Sequence, residues 1–232
     1  MTPWFSQEFD LLFQQVYQSG ARVITLAGAS RACGTSTLSR WLAQRLSGEH
    51  ARVLLIDFDF SGSGQGLPAA DWSLDGTGQA AALHQLNSHL AILPQPSSPV
   101  TRNSLRQPGL LSQAIATWKA QYDFVLCDAG TVYAANWQNL SAPAIGAVSD
   151  GALLCAAAAT TPENNLLHSV RRLEQGKVVL IGTIINDMHY PNLACEITRV
   201  LNKRGRWLPQ RIRQWLIQRI RCSPLLQGEY QL

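Results

Sequence analysis

Six short apolar runs, rich in Val, Ile and Leu, recur along the chain and constrain its fold more strongly than any other sequence feature. None of them alternates apolar with polar residues, as a strand with one solvent-exposed face would do. Continuous apolar runs of this length are typical of strands that are buried on both faces of a parallel sheet. The runs occupy residues 22–27, 52–57, 90–93, 123–128, 151–157 and 178–185.

Amphipathic stretches of helical length lie between these runs. Alternation of strands and helices builds βαβ units, so the sequence predicts an α/β domain with a doubly wound, mainly parallel sheet and helices on both faces. A length of 232 residues, 46% of them hydrophobic, fits a single domain over 1–232 with a basic C-terminal segment at 199–232. We predict helices at 8–16, 35–46, 109–120, 162–174 and 192–202, a surface loop at 94–108 and a flexible loop at 61–66.

Composition narrows the compartment in which the protein works. The apolar runs are far shorter than the ~20 residues that a membrane-spanning helix needs. The first residues show neither the basic region nor the small-residue cleavage site of a secretory signal. The five cysteines are scattered without a C-x-x-C pair, which predicts neither a zinc site nor a disulfide framework. The sequence therefore predicts a cytoplasmic protein.

The C-terminal segment differs from the rest of the chain in charge. Residues 199–232 carry eight basic and one acidic side chain, net +7, whereas residues 1–198 carry 11 basic and 14 acidic side chains, net −3. Within this segment, 208–221 (LPQRIRQWLIQRIR) predicts an amphipathic helix with Ile212, Trp215, Leu216 and Ile220 on its apolar face. Such a helix fits an anionic surface of the inner membrane. The alternatives are a last helix packed on the sheet, a surface that docks a protein and, less favoured, a nucleic-acid contact.

A small-residue loop follows the first apolar run and leads into a predicted helix. This strand–loop–helix order is the context of a phosphate-binding loop, whose motif is G-x-x-x-x-G-K-[ST]. Alignment on Gly34 places Ala29 at the first glycine, Thr35 at the lysine and Ser36 at the hydroxyl that ligates magnesium. Taken alone, the loop is equally compatible with a simple strand-to-helix turn.

Carboxylates at the ends of two further runs support a nucleotide site. Asp57 and Asp59 end the run RVLLIDFD, and Asp128 ends the run YDFVLCD. Acidic side chains at the carboxyl ends of strands beside a phosphate loop suit a magnesium-dependent nucleotide site. A single such Asp would more often cap a turn, but the order of loop, D-x-D and strand-terminal Asp favours the nucleotide site.

This order of motifs resembles that of the deviant Walker A ATPases, which comprise the ParA/MinD group and the related bacterial tyrosine kinases of capsule and exopolysaccharide synthesis. Residues 29–36 resemble the Walker A loop, and LLIDFD (54–59) resembles the second acidic motif. YDFVLCDAG (122–130) resembles the Walker B segment of the kinases, and VLIGTIIN (179–186) resembles the late strand that ends near adenine. The resemblance covers residues 8–200 and depends on the order of the motifs, because no motif is complete.

The resemblance implies ATP and Mg²⁺ as cofactors and assigns roles to residues. It implies that Asp59 is the catalytic carboxylate that orients the attacking water and that Ser36, Asp57 and Asp128 hold the metal. It implies a nucleotide-binding set that consists of Ser30, Arg31, Cys33, Gly34, Thr35, Ser36, Thr37 and Asn186, the last near adenine.

Departures from the motifs weaken the catalytic expectation. Thr35 replaces the loop lysine, and Ser30 replaces the signature lysine of ParA/MinD, leaving Arg31 as the neighbouring cation. The first predicted helix lacks the E-x-x-R-x-x-R pattern used in ring assembly. A lone Tyr230 stands where the kinases carry a tyrosine cluster, so kinase activity is not expected.

These departures predict a degenerate nucleotide-binding protein with weak or absent ATP hydrolysis. We expect it to regulate or scaffold a bacterial envelope system, with exopolysaccharide synthesis or export favoured. Its expected partners are proteins of a membrane-bound polysaccharide complex and a second copy of the chain. Two alternatives remain: an active ATPase of the MinD/ParA type that positions an envelope or DNA-partition complex, and an interaction module that binds no nucleotide.

Overall fold

The computed structural model describes residues 3–61, 64–133, 139–187, 197–198, 200–202, 209–221 and 223. Within these residues, seven strands form one sheet in the order β3-β4-β2-β5-β1-β6-β7. Every neighbouring pair is parallel except β3 and β4, which are antiparallel. The strands are β1 (Val23–Gly28), β2 (Val53–Asp57), β3 (His84–Asn87), β4 (Leu90–Leu93), β5 (Phe124–Thr131), β6 (Gly151–Ala157) and β7 (Leu180–Asn186).

Helices connect the strands, and the chain divides into two compact units, Met1–Asn186 and Asp187–Leu232. The first unit contains the sheet. Its helices are α1 (Gln7–Gln18), α2 (Thr35–Gly48), α3 (Gln79–Ala82), α4 (Pro99–Leu105), α5 (Pro108–Gln121), α6 (Ala142–Gly146) and α7 (Glu163–Gln175). The second unit contains the C-terminal helix, Gln210–Arg221.

The two faces of the sheet explain why its strands are apolar throughout. Along β1, Val23 and Ala27 belong to one hydrophobic core, whereas Ile24 and Leu26 belong to the other. Side chains from α5, α6 and α7 complete the first core, and side chains from α1 and α2 complete the second. Both faces are therefore covered by helices, which confirms the predicted doubly wound α/β fold.

The region between β4 and α5 corrects one sequence prediction. Residues 94–108 were expected to form a surface loop, but Pro99–Leu105 form α4. Pro99 occupies the first turn of the helix, where a missing N–H costs nothing. Leu105 is buried, and the Thr101 hydroxyl donates to the Trp72 carbonyl at 3.0 Å. Tertiary contacts therefore order a segment whose composition is typical of a loop.

Three short elements were not predicted at all: β3, α3 and α6. Most of the helix predicted at 192–202 lies outside the described residues, although 197–198 and 200–202 are helical. In the described part of the chain, no helix is both long enough and apolar enough to cross a bilayer.

Candidate functional site

The carboxyl ends of β1, β2 and β5 meet in the middle of the sheet. β5 lies between β2 and β1, and its register places Asp128 directly opposite Asp57. The loop that follows β1 leads into α2, whose first turn begins at Thr35. Neighbouring parallel strands thus bring the predicted loop and two of the predicted carboxylates to one edge, where ligands bind in folds of this class.

The turn into α2 depends on a glycine. Gly34 adopts a left-handed conformation, with φ of 90°, and it precedes the helix without providing a side-chain cap. A β-carbon at this position would overlap the Asn186 side-chain amide, which donates to the Cys33 carbonyl at 3.0 Å. Asn186, at the end of β7, therefore lies directly against the loop. The first backbone N–H groups of α2 have no side-chain cap, so this helix end retains the positive character that attracts anions.

Thr35 stands at the lysine position, but its side chain belongs to the interior of the protein. The residue is only 8% exposed, and its hydroxyl lies 3.2 Å from the Cys33 thiol. The Cys155 thiol lies near both groups, and burial raises its pKa well above the ordinary value. Thr35 thus packs in an apolar pocket beneath the loop and adds no charge to the site.

The other predicted nucleotide-binding residues fall into two groups. Ser30 is tied to the opposite loop, since its hydroxyl lies 2.7 Å from the Thr161 hydroxyl. Arg31 and Thr37 are exposed, whereas Ser36 is half-buried and its side chain hydrogen-bonds to Asp128. The structure therefore gathers these side chains around one loop without testing whether they bind a nucleotide.

The two paired carboxylates are fully buried. Asp57 accepts hydrogen bonds from the backbone N–H groups of Gln65 at 2.8 Å and Asp59 at 3.1 Å. Burial raises the pKa of Asp57 to about 6 and that of Asp128 to about 7. The Oδ1 atom of Asp128 is buried without a hydrogen-bond partner. Carboxylates held at such a cost in desolvation are typical of functional sites.

Asp59, the predicted catalytic carboxylate, is less buried and has different partners. Its Oδ1 atom accepts from the Ser61 hydroxyl at 2.6 Å, from the Ser61 backbone N–H at 3.2 Å and from Asn139 Nδ2 at 3.3 Å. The turn after β2 and a residue of the loop after β5 thus share this oxygen. These bonds orient Asp59 but leave its predicted role as an untested expectation.

Sequence reasoning missed two residues of the site, Gln65 and Arg40. Gln65 is only 4% exposed, and its side-chain amide nitrogen donates to Asp128 Oδ2 at 2.7 Å, Ser39 Oγ at 3.0 Å and the Ser36 carbonyl at 3.1 Å. Arg40 Nε donates to Gln65 Oε1 at 3.1 Å, and its guanidinium also contacts the Gln65 carbonyl. A polar residue in the glycine-rich loop after D-x-D was the available signal. Residues 61–66 had been expected to be flexible, but Gln65 is anchored by buried hydrogen bonds.

The metal expectation meets a mixed result. Ser36, Asp57 and Asp128 provide the oxygen donors that Mg²⁺ prefers, and the unpartnered Asp128 oxygen is a free acceptor. However, the Gln65 amide N–H groups already face these acceptors. Among the described residues, no group of three or more His, Cys, Asp or Glu is arranged to hold a metal. In this arrangement the donor set does not fit a bound cation.

No protein-family model matches the sequence, and no curated protein matches it. Solved structures do match its fold. The BceF tyrosine kinase domain is 22% identical, with a TM-score of 0.59, over 76% of this chain and 73% of that domain. The kinase domain of the Escherichia coli tyrosine kinase Etk is 20% identical, with a TM-score of 0.61, over 77% of this chain and 72% of that domain.

A third match links the chain to the ATPases. MinD from Pyrococcus horikoshii, solved in complex with Mg-ADP, is 17% identical, with a TM-score of 0.56, over 71% of this chain and 69% of that protein. The structural neighbours are thus bacterial tyrosine kinase domains and a MinD-type ATPase, as the order of sequence motifs implied. The chain has the P-loop NTPase-like fold that these proteins share.

Proposed function

We propose that the protein is a degenerate nucleotide-binding member of the deviant Walker A group that regulates or scaffolds a bacterial envelope system. Within that class we propose exopolysaccharide synthesis or export as its setting, because the motifs resemble those of the capsule and exopolysaccharide kinases. Proteins of a membrane-bound polysaccharide complex are its proposed partners, and a second copy of the chain is a further one. ATP is its proposed ligand, bound weakly and hydrolysed slowly or not at all.

One observation carries the degenerate assignment: the buried Thr35 side chain. A loop lysine places a point charge on the β- and γ-phosphates, whereas the Thr35 hydroxyl contacts the Cys33 thiol inside the protein. The missing charge-assisted contact is worth about 1.5–3 kcal/mol. The uncapped start of α2 still attracts phosphate through its backbone N–H groups. Weak binding with little turnover follows from this combination.

Calorimetry with ATP, with and without magnesium, tests the proposal. We expect binding weaker than micromolar for the wild type and tighter binding for Thr35→Lys, which restores the missing charge. Thr117→Lys is the matched control, because Thr117 is exposed on α5 and adds the same charge away from the loop. Micromolar or tighter binding by the wild type, together with brisk ATP turnover, would overturn the degenerate assignment and favour an active ATPase.

Turnover, where it is measurable, tests the proposed catalytic role of Asp59. We expect Asp59→Ala to abolish ATP hydrolysis while nucleotide binding is retained, because the carboxylate acts on water rather than on the phosphates. Turnover that is unaffected by this change would show that the site has been assigned wrongly.

We further propose that the C-terminal helix attaches the protein to an anionic membrane surface. Ile212 is 48% exposed and Trp215 is 58% exposed, and the Arg219 guanidinium lies 5.7 Å from the centre of the Trp215 ring system. An exposed aromatic side chain flanked by arginines suits the interface of an anionic bilayer. The same features suit an acidic protein segment, so the experiment must separate the two partners.

Co-sedimentation with protein-free vesicles makes that separation. We expect binding to vesicles that contain anionic lipid, no binding to neutral vesicles, and weaker binding as salt is raised. Trp215→Glu should abolish binding. Gln214→Glu, an exposed neighbour that adds the same charge, should only weaken it. Failure to bind anionic vesicles at low salt would exclude the membrane and leave protein docking as the proposal.

A further inference from the structure

We propose that the Gln65 side-chain amide occupies the magnesium position of the site and excludes the ion, so that the chain's own amide stands in for the cation. This inference rests on the proposed nucleotide site and specifies how that site is regulated. It makes Gln65 a competitor of divalent metal. It also predicts that nucleotide binding in the wild type is insensitive to magnesium.

The geometry of the acceptors is the first step. The amide nitrogen of Gln65 donates to Asp128 Oδ2 at 2.7 Å and to the Ser36 carbonyl at 3.1 Å, while its backbone N–H donates to Asp57 Oδ2 at 2.8 Å. One residue thus contacts all three of the residues that were predicted to hold the metal. A divalent ion bound by Ser36, Asp57 and Asp128 would require the same space.

Charge is the second step. Two buried carboxylates face each other across β2 and β5, an arrangement that normally requires a cation nearby. Here the cation is Arg40, which does not contact either carboxylate directly in the described hydrogen bonds. It donates instead to Gln65 Oε1 at 3.1 Å, and Gln65 donates to Asp128 from the other end of the same amide. The amide dipole therefore carries the effect of the guanidinium to the carboxylate.

The close approach of the backbone is the third step. Gly64 has a positive φ of 44°, and a β-carbon at this position would overlap the Asp57 carboxylate. The chain therefore lies directly on Asp57 as it leads to Gln65. Gln95 reinforces the arrangement, since its side-chain amide donates to the Asp59 carbonyl at 2.7 Å. Both flanks of Gln65 are thus fixed against the acidic groups.

The remaining acceptor indicates what the amide does not satisfy. Asp128 Oδ1 is buried and has no hydrogen-bond partner, although Oδ2 of the same carboxylate accepts from Gln65. An amide offers two N–H groups, whereas a divalent ion would attract every oxygen around it. Removing the Gln65 side chain would leave buried acceptors without a donor. Those acceptors would then form a site for a divalent cation.

Titration with Mn²⁺ alone, followed by the loss of the free Mn²⁺ signal in electron paramagnetic resonance, tests the inference without nucleotide. We expect the wild type not to bind Mn²⁺ at this site and Gln65→Ala to bind it at least about tenfold more tightly. Gln79→Ala is the matched control, because Gln79 also hydrogen-bonds through its amide, to the Ser73 carbonyl, in another part of the unit. It should behave as the wild type does.

Two outcomes would overturn the inference: Mn²⁺ binding by the wild type that Asp128→Asn abolishes, or equal Mn²⁺ affinities for the wild type and Gln65→Ala. If Gln65→Ala does not fold, Gln65→Glu decides, because it keeps the size of the side chain and replaces the amide by oxygen ligands. Mn²⁺ should then raise the melting temperature of Gln65→Glu and not that of the wild type. An unchanged melting temperature would contradict the inference.

A nucleotide arm keeps this inference distinct from the proposed function. ADP is titrated into the wild type and Gln65→Ala with and without magnesium, and we expect magnesium to tighten binding only in the variant. If neither protein binds ADP but Gln65→Ala binds Mn²⁺, the proposed function fails and the inference about Gln65 stands. If both bind ADP with the same dependence on magnesium, the inference fails and the proposed function stands.

Discussion

The two edges of the sheet both carry carboxylates, but they treat them in opposite ways. At the amino edge, Asp123 pairs with the Arg52 guanidinium at 2.9 Å, and Asp150 pairs with Lys119 Nζ at 2.7 Å. At the carboxyl edge, Asp57 and Asp128 are buried, and their described partners are amides, a hydroxyl and backbone N–H groups. Only the amino edge gives each carboxylate a direct cationic partner.

The pKa values follow this difference. Hydrogen bonds from Arg52 lower the pKa of Asp123 to about 2. Burial opposes ionisation of Asp150, but hydrogen bonds from Lys119 and from the backbone N–H groups of Val23 and Arg22 outweigh it and lower the pKa. Burial raises the pKa of Asp57 and Asp128 instead. The amino edge therefore stabilises the fold, whereas the carboxyl edge retains groups that oppose folding when charged, as functional sites do.

The largest expected effect is a loss of stability as pH rises. The pKa values of Asp57 and Asp128, about 6 and about 7, lie above the ~4 of an unfolded aspartate. The folded state binds the extra protons between these values. The contribution to stability is therefore fully present below about pH 4 and is lost as pH rises through 6 and 7.

Urea unfolding at a series of pH values measures this effect. We expect the free energy of unfolding to fall by on the order of 3 kcal/mol between about pH 5 and pH 8. A profile that is flat or rises across this window would contradict the contrast between the two edges.

Asp128→Asn tests the carboxyl edge directly and should have the second largest effect. The amide oxygen of asparagine can still accept from Ser36 and Gln65, but it carries no charge to desolvate. We expect the variant to be more stable than the wild type by about 1–3 kcal/mol at pH 8 and to show little difference at pH 5. Equal destabilisation at both pH values would mean that the hydrogen bonds of Asp128 matter more than its charge.

Asp150→Ala tests the amino edge, with an effect of opposite sign. Asp150 Oδ2 accepts from the backbone N–H groups of Arg22 and Val23, both at 2.9 Å, at the start of the central strand. Truncation leaves these donors without their acceptor and Lys119 without its partner. We expect a loss of about 1–2 kcal/mol at pH 7 in urea unfolding. A stabilising effect would show that the amino-edge carboxylate is no better compensated than Asp128.

Sequence reasoning located the edges well because both follow from strand boundaries. The apolar runs predicted β4 and β6 with their observed bounds, and the residues after the runs supplied Asp57 and Asp128. Local pattern was sufficient there, since a strand buried on both faces must be apolar throughout. Register then brought the two carboxylates together, as the shared carboxyl edge of parallel strands predicts.

The contents of the site could not be predicted in the same way. The hydrogen bonds of the Gln65 side chain reach residues 26, 29 and 63 positions away in the chain, so no local pattern reports them. The helix α4 was missed for a related reason. Its Pro- and Ser-containing sequence is typical of a loop, and its contacts with Trp72 and the core decide its structure. Distant partners, rather than propensity, determine both regions.

The smallest expected effect belongs to the exposed pair at the amino edge, Arg52 and Asp123. The Arg52 side chain is 60% exposed, so solvent and salt screen most of the attraction. The pKa of Asp123, about 2, lies below its unfolded value. This contribution is therefore present above about pH 4 and lost as pH falls through about 2. Arg52→Met should shift the acid limb of the stability profile to higher pH and leave the neutral limb unchanged. Urea unfolding at pH 3 and pH 7, in low and high salt, checks this. An Arg52→Met effect that is as large at pH 7 as that of Asp150→Ala, or that persists in high salt, would show that this pair is more than a screened surface contact.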